Sequence, residues 1–321
     1  MATRTKRPSF TIAGREVPAG KRVSLEMPTV RLVSGSWVAL PLVVLHGRTD
    51  GPTVWVSAAI HGDEINGVEI IRELLGHLEI GQIAGTLIAA PIVNVHGFIA
   101  GERNLPDGRD LNRSFPGSAR GSMASRIANI FMKEVVGRCD SGFDLHTGSA
   151  NRVNWPQIRA ALDHEPTMEL AEVFGAPIAI NSKIRDGSIR QVASENGTIA
   201  LLFEGGEANR FDPHSIKVGV EGVRRCLAHI GMTPPVDLAT PSPMISPASK
   251  WTRSSRSGIL HLDVELGDRV EKGASIAALH DPFGKRLTRI KARSAGIVIG
   301  RTQSALVNQG DAIVHIAELD D

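Results

Sequence analysis

VWVSAAIHGDE, residues Val54 to Glu64, reads as an apolar strand that runs straight into a His-x-x-Glu. Val54, Trp55, Val56 and Ala58 to Ile60 are near-continuously apolar, the pattern of a central strand covered on both faces. Asn66 can then cap a helix through Gly76, with Val68, Ile71, Leu74, Leu75 and Leu78 on its apolar face. His61 and Glu64 therefore stand at the carboxyl end of a buried strand, where open α/β sheets place their ligand crevice. Their two-residue spacer lets imidazole and carboxylate converge on one ion. Taken alone, the same residues also suit a polar strand-to-helix turn with a capping carboxylate.

Outward from this stretch the chain alternates strands and helices. Residues 9–48 read as antiparallel strands leading into the sheet, with turns at Gly14 and at Pro18 to Gly20. Gly85 to Val93 is a further apolar run of strand length. Asn94 to Gly117 has little apolar periodicity and several Gly and Pro residues, so it reads as a long, functional loop. A helix is expected over 119–136, with Met123, Ile127, Ile130, Phe131 and Val135 on one face and Gly137 as C-cap. Ser141 to His146 is a short strand ending in histidine, followed by a polar loop and a helix near 166–174. Strands are expected at 177–181 and 198–204. Asp212-Pro213 opens a helix whose face is Ile216, Val220, Val223, Leu227 and Ile230.

Residues 231–248 hold Pro234, Pro235, Pro241, Pro243 and Pro247, the composition of a linker. Beyond it comes an internal repeat. Gly258-Ile259, Val270, Gly273 and Ile276 recur as Gly296-Ile297, Val307, Gly310 and Ile313. Two such halves of short strands suggest a small β-sandwich or flattened barrel. The expected division is a larger domain over 1–245 and a small β domain over 246–321.

Composition narrows the function. With 42% apolar and 22% charged residues, the 321-residue chain can bury a large core. A net charge of +2 argues against a nucleic-acid or membrane surface. Cys139 and Cys226 form no CxxC, so neither a disulfide framework nor a zinc–thiolate site is expected, and a reducing compartment fits. The basic N-terminus lacks an apolar segment behind it, and no run approaches the roughly 18 residues of a membrane span. A cytoplasmic location is the expectation.

Three further elements carry chemistry. His146, in FDLH, ends an apolar strand as His61 does, and a catalytic zinc takes three protein ligands such as two His and one Glu. Asp144 can support a ligand from behind. An ordinary turn histidine is the alternative for His146. The loop sequence Asp110-Leu-Asn-Arg-Ser-Phe-Pro-Gly offers Arg113, a planar fork for a carboxylate, and the Asn112 amide, with Arg103 and Arg109 on the same loop. Its alternative is a solvated basic loop. Glu204, in LLFEGGE, ends an apolar strand where desolvation favours a general base. Its alternative is a carboxylate paired with an arginine.

HGDE, RDLNRSFPG, FDLH and FEGGE, in this order, resemble the succinylglutamate desuccinylase/aspartoacylase family of the zinc carboxypeptidase-like superfamily. The resemblance covers about residues 20–230. It implies a doubly wound α/β/α sandwich with a mixed sheet, and hydrolysis of an N-acyl amide on an amino-acid-like molecule. By position, His61, Glu64 and His146 look like the ligands of one Zn2+. Glu204 looks like the base that activates water, and Asn112 and Arg113 look like the carboxylate clamp. Arg103 looks like the arginine that polarises the scissile carbonyl, with Arg109 as its competitor. Gly187-Ser-Ile-Arg190 looks like the segment carrying a further substrate arginine. Aspartoacylase-like members use tyrosines at the substrate, and this chain has none, so it looks more like the broad deacylase branch.

The C-terminal repeat resembles the biotinyl/lipoyl-like barrel-sandwich. Lys285 falls near the acceptor position of true carriers but lacks Met-Lys-Met neighbours, and is expected to stay unmodified. The whole reads as a zinc-dependent amidohydrolase acting on a small N-acyl substrate, compatible with a homo-oligomer. A metallocarboxypeptidase is the nearest rival, and a non-catalytic binding protein the rival from another class.

Overall fold

In the computed structural model, which describes residues 7–183 and 185–319, the opening stretch forms the end of the strand Thr49–Ala58. It lies between two parallel neighbours, Ala84–Ala90 and Ser141–Gly148. Alternate side chains of one strand point to opposite faces. Val54, Val56 and Ala58 accordingly join one apolar core, and Trp55 joins another. Helices Asn66–His77, Glu165–Phe174 and Pro213–His229 pack into the first core. Helices Met123–Glu134 and Ile189–Glu195 pack into the second. Both faces of the sheet are therefore covered, which explains a strand apolar on both sides. Truncating a side chain such as Phe131, fully buried in the second core, costs about 3–5 kcal/mol.

The sheet is large and mixed. Its order runs Ser249–Arg253, Ala312–Ala317, Gly296–Thr302, Arg152–Ala160, Ile199–Glu207, Ser141–Gly148, Thr49–Ala58, Ala84–Ala90, Trp37–His46, Lys21–Arg31. The four strands from Ile199–Glu207 to Ala84–Ala90 are parallel. Antiparallel strands flank them, including the expected N-terminal pair Lys21–Arg31 and Trp37–His46.

Four local readings differ from the structure. Asn66 begins its helix without capping it. Its side chain instead donates to the Gly205 carbonyl (3.0 Å) and accepts from the Asp212 amide (3.0 Å), tying three elements together. The long loop contains a helix, Val95–Ala100, capped by Asn94, and a helical turn at Leu111–Arg113. The third helix is Met123–Glu134, capped by Ser122, and Gly137 lies in a separate turn, Val136–Arg138. The polar loop after His146 gives way at once to a strand, Arg152–Ala160.

That strand was disguised by Pro156, which cannot donate to a ladder. Its outer neighbour changes along its length. Residues 152–154 pair with Gly296–Thr302, and residues 157–160 pair with Ile178–Asn181. Pro156 falls at the changeover, where the missing N–H leaves no rung unmade.

Every regular element after the proline-rich stretch is a strand. The repeat is visible as Gly258–Leu262, Arg269–Val270 and Ser275–His280, matched by Gly296–Thr302, Leu306–Val307 and Ala312–Ala317. Part of this region forms a four-stranded sheet, and part continues the large sheet through the pairing with Arg152–Ala160. Lys285 lies in the exposed turn that follows Ser275–His280. No described helix is long and apolar enough to cross a membrane.

Candidate active site

His61 and Glu64 leave the sheet through a constrained turn. Ala59 has φ 48°, a region that costs a non-glycine residue free energy. Its carbonyl and that of Ala58 accept the Asn94 and Val93 amides (2.8 and 3.1 Å), which fixes the strand end. Gly62 lies so close to Gly97 that a Cβ would stand 2.0 Å from the Gly97 carbonyl carbon. No side chain fits there, and the His61–Glu64 turn is held against the helix Val95–Ala100.

His146 arrives from the neighbouring parallel strand. His61, Glu64 and His146 are 4%, 1% and 4% exposed, and one ligand atom from each lies within 4.8 Å of the others. His61 Nδ1 is 2.8 Å from Glu64 Oε1, and His146 Nδ1 is 2.7 Å from Glu64 Oε2. The far nitrogen of each ring faces a carboxylate: His61 Nε2 lies 3.1 Å from Asp110, and His146 Nε2 lies 2.8 Å from Asp144. A carboxylate behind an imidazole holds the proton on the far nitrogen and turns the other lone pair inward. The Ser57 hydroxyl donates to Asp144 (2.9 Å), so this support is itself supported.

The electrostatics are consistent with a cation site. Burial alone would raise the Glu64 carboxyl, but His61 and His146 outweigh it and hold it well below the usual carboxylate range. Burial would lower the His146 imidazole, but Asp144 and Glu64 push it well above its ordinary value. His61 is raised in the same way by Glu64 and Asp110 against its burial. Such a field favours positive charge at the inner nitrogens, which a divalent metal could supply in place of protons. Two inward imidazoles and one carboxylate are a donor set that could hold a metal ion.

Arg103 joins this cluster and Arg109 does not. Arg103 donates to Glu64 (3.1 Å), the Ser149 hydroxyl (2.7 Å) and Asp110 (3.0 Å). Arg109 is exposed and paired with Asp107 at 3.1 Å. Asn112 is buried, and its side-chain oxygen accepts from the Ile189 amide at 3.0 Å, which ties the loop to the helix carrying Arg190. Arg113 donates to the Asn112 carbonyl.

Glu204 stands across from His146 in the parallel pairing. It accepts from the Asn154 amide at 2.8 Å and faces Arg159 at 3.7 Å. Of the residues named in the sequence as site candidates, His61, Glu64, Arg103, Asn112, Arg113, His146, Arg190 and Glu204 line one cleft of about 450 Å³, whereas Asp144 lies behind it and Arg109 outside it. Asn154, Arg152 and Arg159, from the strand that Pro156 concealed, line the cleft too, as do Ser249, Trp251 and His315, from beyond the linker. The pattern RVNWPQIRA was the available sign of the first group. The second group has no local sequence signal, because it depends on which distant strands pair.

Comparison with known proteins places this geometry. Residues 50–230 match the family described as the succinylglutamate desuccinylase/aspartoacylase catalytic domain. An N-alpha-acetyl-L-2,4-diaminobutyric acid deacetylase from Halomonas elongata is 31% identical over 296 residues, covering 88% of this chain and 86% of its own. A succinylglutamate desuccinylase from Pseudomonas aeruginosa is 29% identical over 152 residues, 43% of each chain. The product-bound ectoine utilization protein of Ruegeria pomeroyi superposes with a TM-score of 0.84 at 26% identity, covering 92% of this chain and 95% of its own. A succinylglutamate desuccinylase from a Silicibacter species has the same fold over the full length of both chains, with a TM-score of 0.86 at 24% identity. With its fold, its converging histidines and more than half its length matched, the chain belongs to the succinylglutamate desuccinylase/aspartoacylase family.

Proposed function

We propose that the protein is a zinc-dependent deacylase that hydrolyses the amide bond of an N-acylated amino acid or a related small molecule. The observation that carries this reading is the convergence of His61 and His146, each backed by a carboxylate, on Glu64, with Glu204 in register beside His146. The deacetylase and desuccinylase relatives support the same reaction class.

His61, Glu64 and His146 would hold the zinc, which when bound supplies a Lewis acid and an acidified water. Glu204 takes the proton of the attacking water and returns it to the leaving amine. Asn154 holds the Glu204 carboxylate in place for both transfers. Arg103, fixed by three partners, stabilises the charge that develops on the carbonyl oxygen. Arg113, with Asn112 fixing its loop, grips the substrate carboxylate, and Arg190 supplies a further contact.

We also read residues 246–321 as a small β domain of barrel-sandwich type, supported by its two matched sets of strands and their shared core around Ile276, Val298 and Ile313. A cytoplasmic location remains part of this reading, and metal analysis combined with a hydrolysis screen tests its chemistry. N-acyl amino acids should be cleaved and dipeptides should not. The reverse preference would favour a metallocarboxypeptidase.

A further inference from the structure

A second cavity lies at the opposite end of the sheet from the cleft. It measures about 220 Å³, and its lining includes Ile83, just before the strand Ala84–Ala90 begins. The His61–Glu64 turn instead follows the carboxyl end of the parallel neighbour Thr49–Ala58. The parallel strands therefore run between the two. Pockets for drug-sized ligands measure about 300–1,000 Å³, so this cavity suits a single small metabolite.

Its lining answers a negative charge. Arg224 is half-buried there, with no ion pair or hydrogen bond from its side chain among the described residues. Glu221, one turn earlier on the same helix, faces Lys217 and Arg225 instead. The Thr233 hydroxyl, also in the lining, is buried without a hydrogen-bond partner among the described residues. An unused guanidinium fork and an unused hydroxyl in one cavity are receptors for a carboxylate.

The lining answers a positive charge as well. Glu79 and Asp237 present exposed carboxylates, and Asp237 has no cationic partner among the described residues. The helix Asn66–His77 ends in this wall, and a helix carboxyl terminus favours positive charge. Leu78, Ile83 and Val236 add apolar surface. Receptors for both charges beside a short apolar wall match a zwitterion better than a simple acid or amine.

Two helices join this cavity to the cleft. Asn66–His77 begins just after Glu64, and Pro213–His229 carries Arg224 towards its far end. At their starts the Asn66 side chain donates to the carbonyl of Gly205, next to Glu204, and accepts from the Asp212 amide, both at 3.0 Å. Asp212 in turn caps the second helix through the Ser215 amide at 2.7 Å. Midway, a Cβ on Gly219 would stand 2.4 Å from Ile70 Cδ1, so the helices touch without a gap. Close-packed elements transmit a displacement rather than absorb it. A shift at His77 and Arg224 therefore reaches the His61–Glu64 turn and the strand end that carries Glu204.

We propose that this cavity binds an α-amino acid with a small apolar side chain, and that its occupancy alters turnover in the cleft through the helix pair. The carboxylate sits on Arg224 and Thr233, and the ammonium faces Glu79 and Asp237. The coupling rests on the reading of the cleft as a deacylase site, whose products include a free amino acid.

Calorimetry and kinetics on the full-length protein test the proposal. L-valine should bind the wild type. Isovalerate and L-valinamide, which each lack one of its two charges, should bind at least tenfold more weakly. Arg224→Ala should weaken L-valine binding at least tenfold, and Arg224→Lys, which keeps the charge, should recover part of the loss. Both variants should stay folded by circular dichroism and hydrolyse N-acyl amino acids at the wild-type rate without L-valine. Saturating L-valine should change the wild-type kcat at least fivefold with little change in KM, and should leave Arg224→Ala unaffected. No L-valine binding by the wild type, or equal binding of the three ligands, overturns the site. Unchanged binding to a folded Arg224→Ala overturns it too, since the amino acid then sits elsewhere. Binding that depends on Arg224 but leaves kcat unmoved overturns the coupling. Binding that depends on Arg224, in a protein that hydrolyses no N-acyl amino acid, overturns the deacylase reading and leaves the site standing.

Discussion

Glu204 and His146 occupy paired positions on adjacent parallel strands, Ile199–Glu207 and Ser141–Gly148. This one register brings the proposed base beside the proposed metal cluster, 58 residues apart in sequence. The pairing is undisturbed up to Glu204 and shifts between Glu204 and Glu207, so the strand is regular as far as the site and irregular just beyond it.

His146→Ala should lose the metal while the protein stays folded, because the alanine leaves the strand ladder intact. Asp144→Asn should keep all three ligands and bind metal about 10–100-fold more weakly, since an amide supports the imidazole less well than a carboxylate. Metal titration with circular dichroism checks both. Full occupancy in His146→Ala would remove that residue from the ligand set.

Glu204→Gln should retain zinc and substrate affinity and lose about 10²–10⁴-fold in turnover. The amide keeps the shape and its bond to Asn154 can be remade after a flip, but it cannot take a proton at neutral pH. A loss below tenfold would assign the base elsewhere.

Arg113→Lys should weaken substrate binding and also slow turnover, although the charge is kept, because a lysine cannot make the two parallel bonds of a guanidinium fork. Amidating the substrate carboxylate should produce the same defect in the wild type. Combined, the two changes should not add, since each removes one partner of a single contact. Additive losses would mean that Arg113 only shapes the loop.

His315 should make stability depend on pH. Burial depresses its folded pKa, so its contribution is fully present above the unfolded value near 6.5 and is lost as pH falls below it. In that range the unfolded chain takes up a proton that the folded chain refuses. The stability difference between wild type and His315→Gln should shrink on acidification, by up to about 1.4 kcal/mol per pH unit. Denaturant melts at a series of pH values measure it. A difference independent of pH would show His315 unshifted.

The convergence of His61, Glu64 and His146 was legible because they sit where apolar strands end, and parallel strand ends converge. That Thr49–Ala58 is covered on both faces was legible from its near-continuous apolar run, whereas which residues face which core came only from the structure. Asn66 misled because a polar residue before an apolar run looks like a cap, whereas burial sends its amide to Gly205 and Asp212. Asn154 and Arg159 were hidden by a proline that the sheet tolerates only at a change of partner. Trp251 and His315 were hidden for a different reason. Local pattern marks them as strand residues but cannot say that Gly296–Thr302 lies beside Arg152–Ala160. At that junction a Cβ on Gly300 would come within 2.8 Å of the Asn154 side-chain oxygen, so the absence of a side chain leaves Asn154 room to reach Glu204.

The most direct test of zinc-dependent deacylation is the rate of N-acyl amino acid hydrolysis by chelator-treated protein as zinc is added back. The rate should be near zero without metal and should rise linearly to a plateau at one zinc per chain, with His146→Ala showing no rise. Undiminished hydrolysis after chelation, or none across the N-acyl amino acids at full zinc occupancy, would contradict the account.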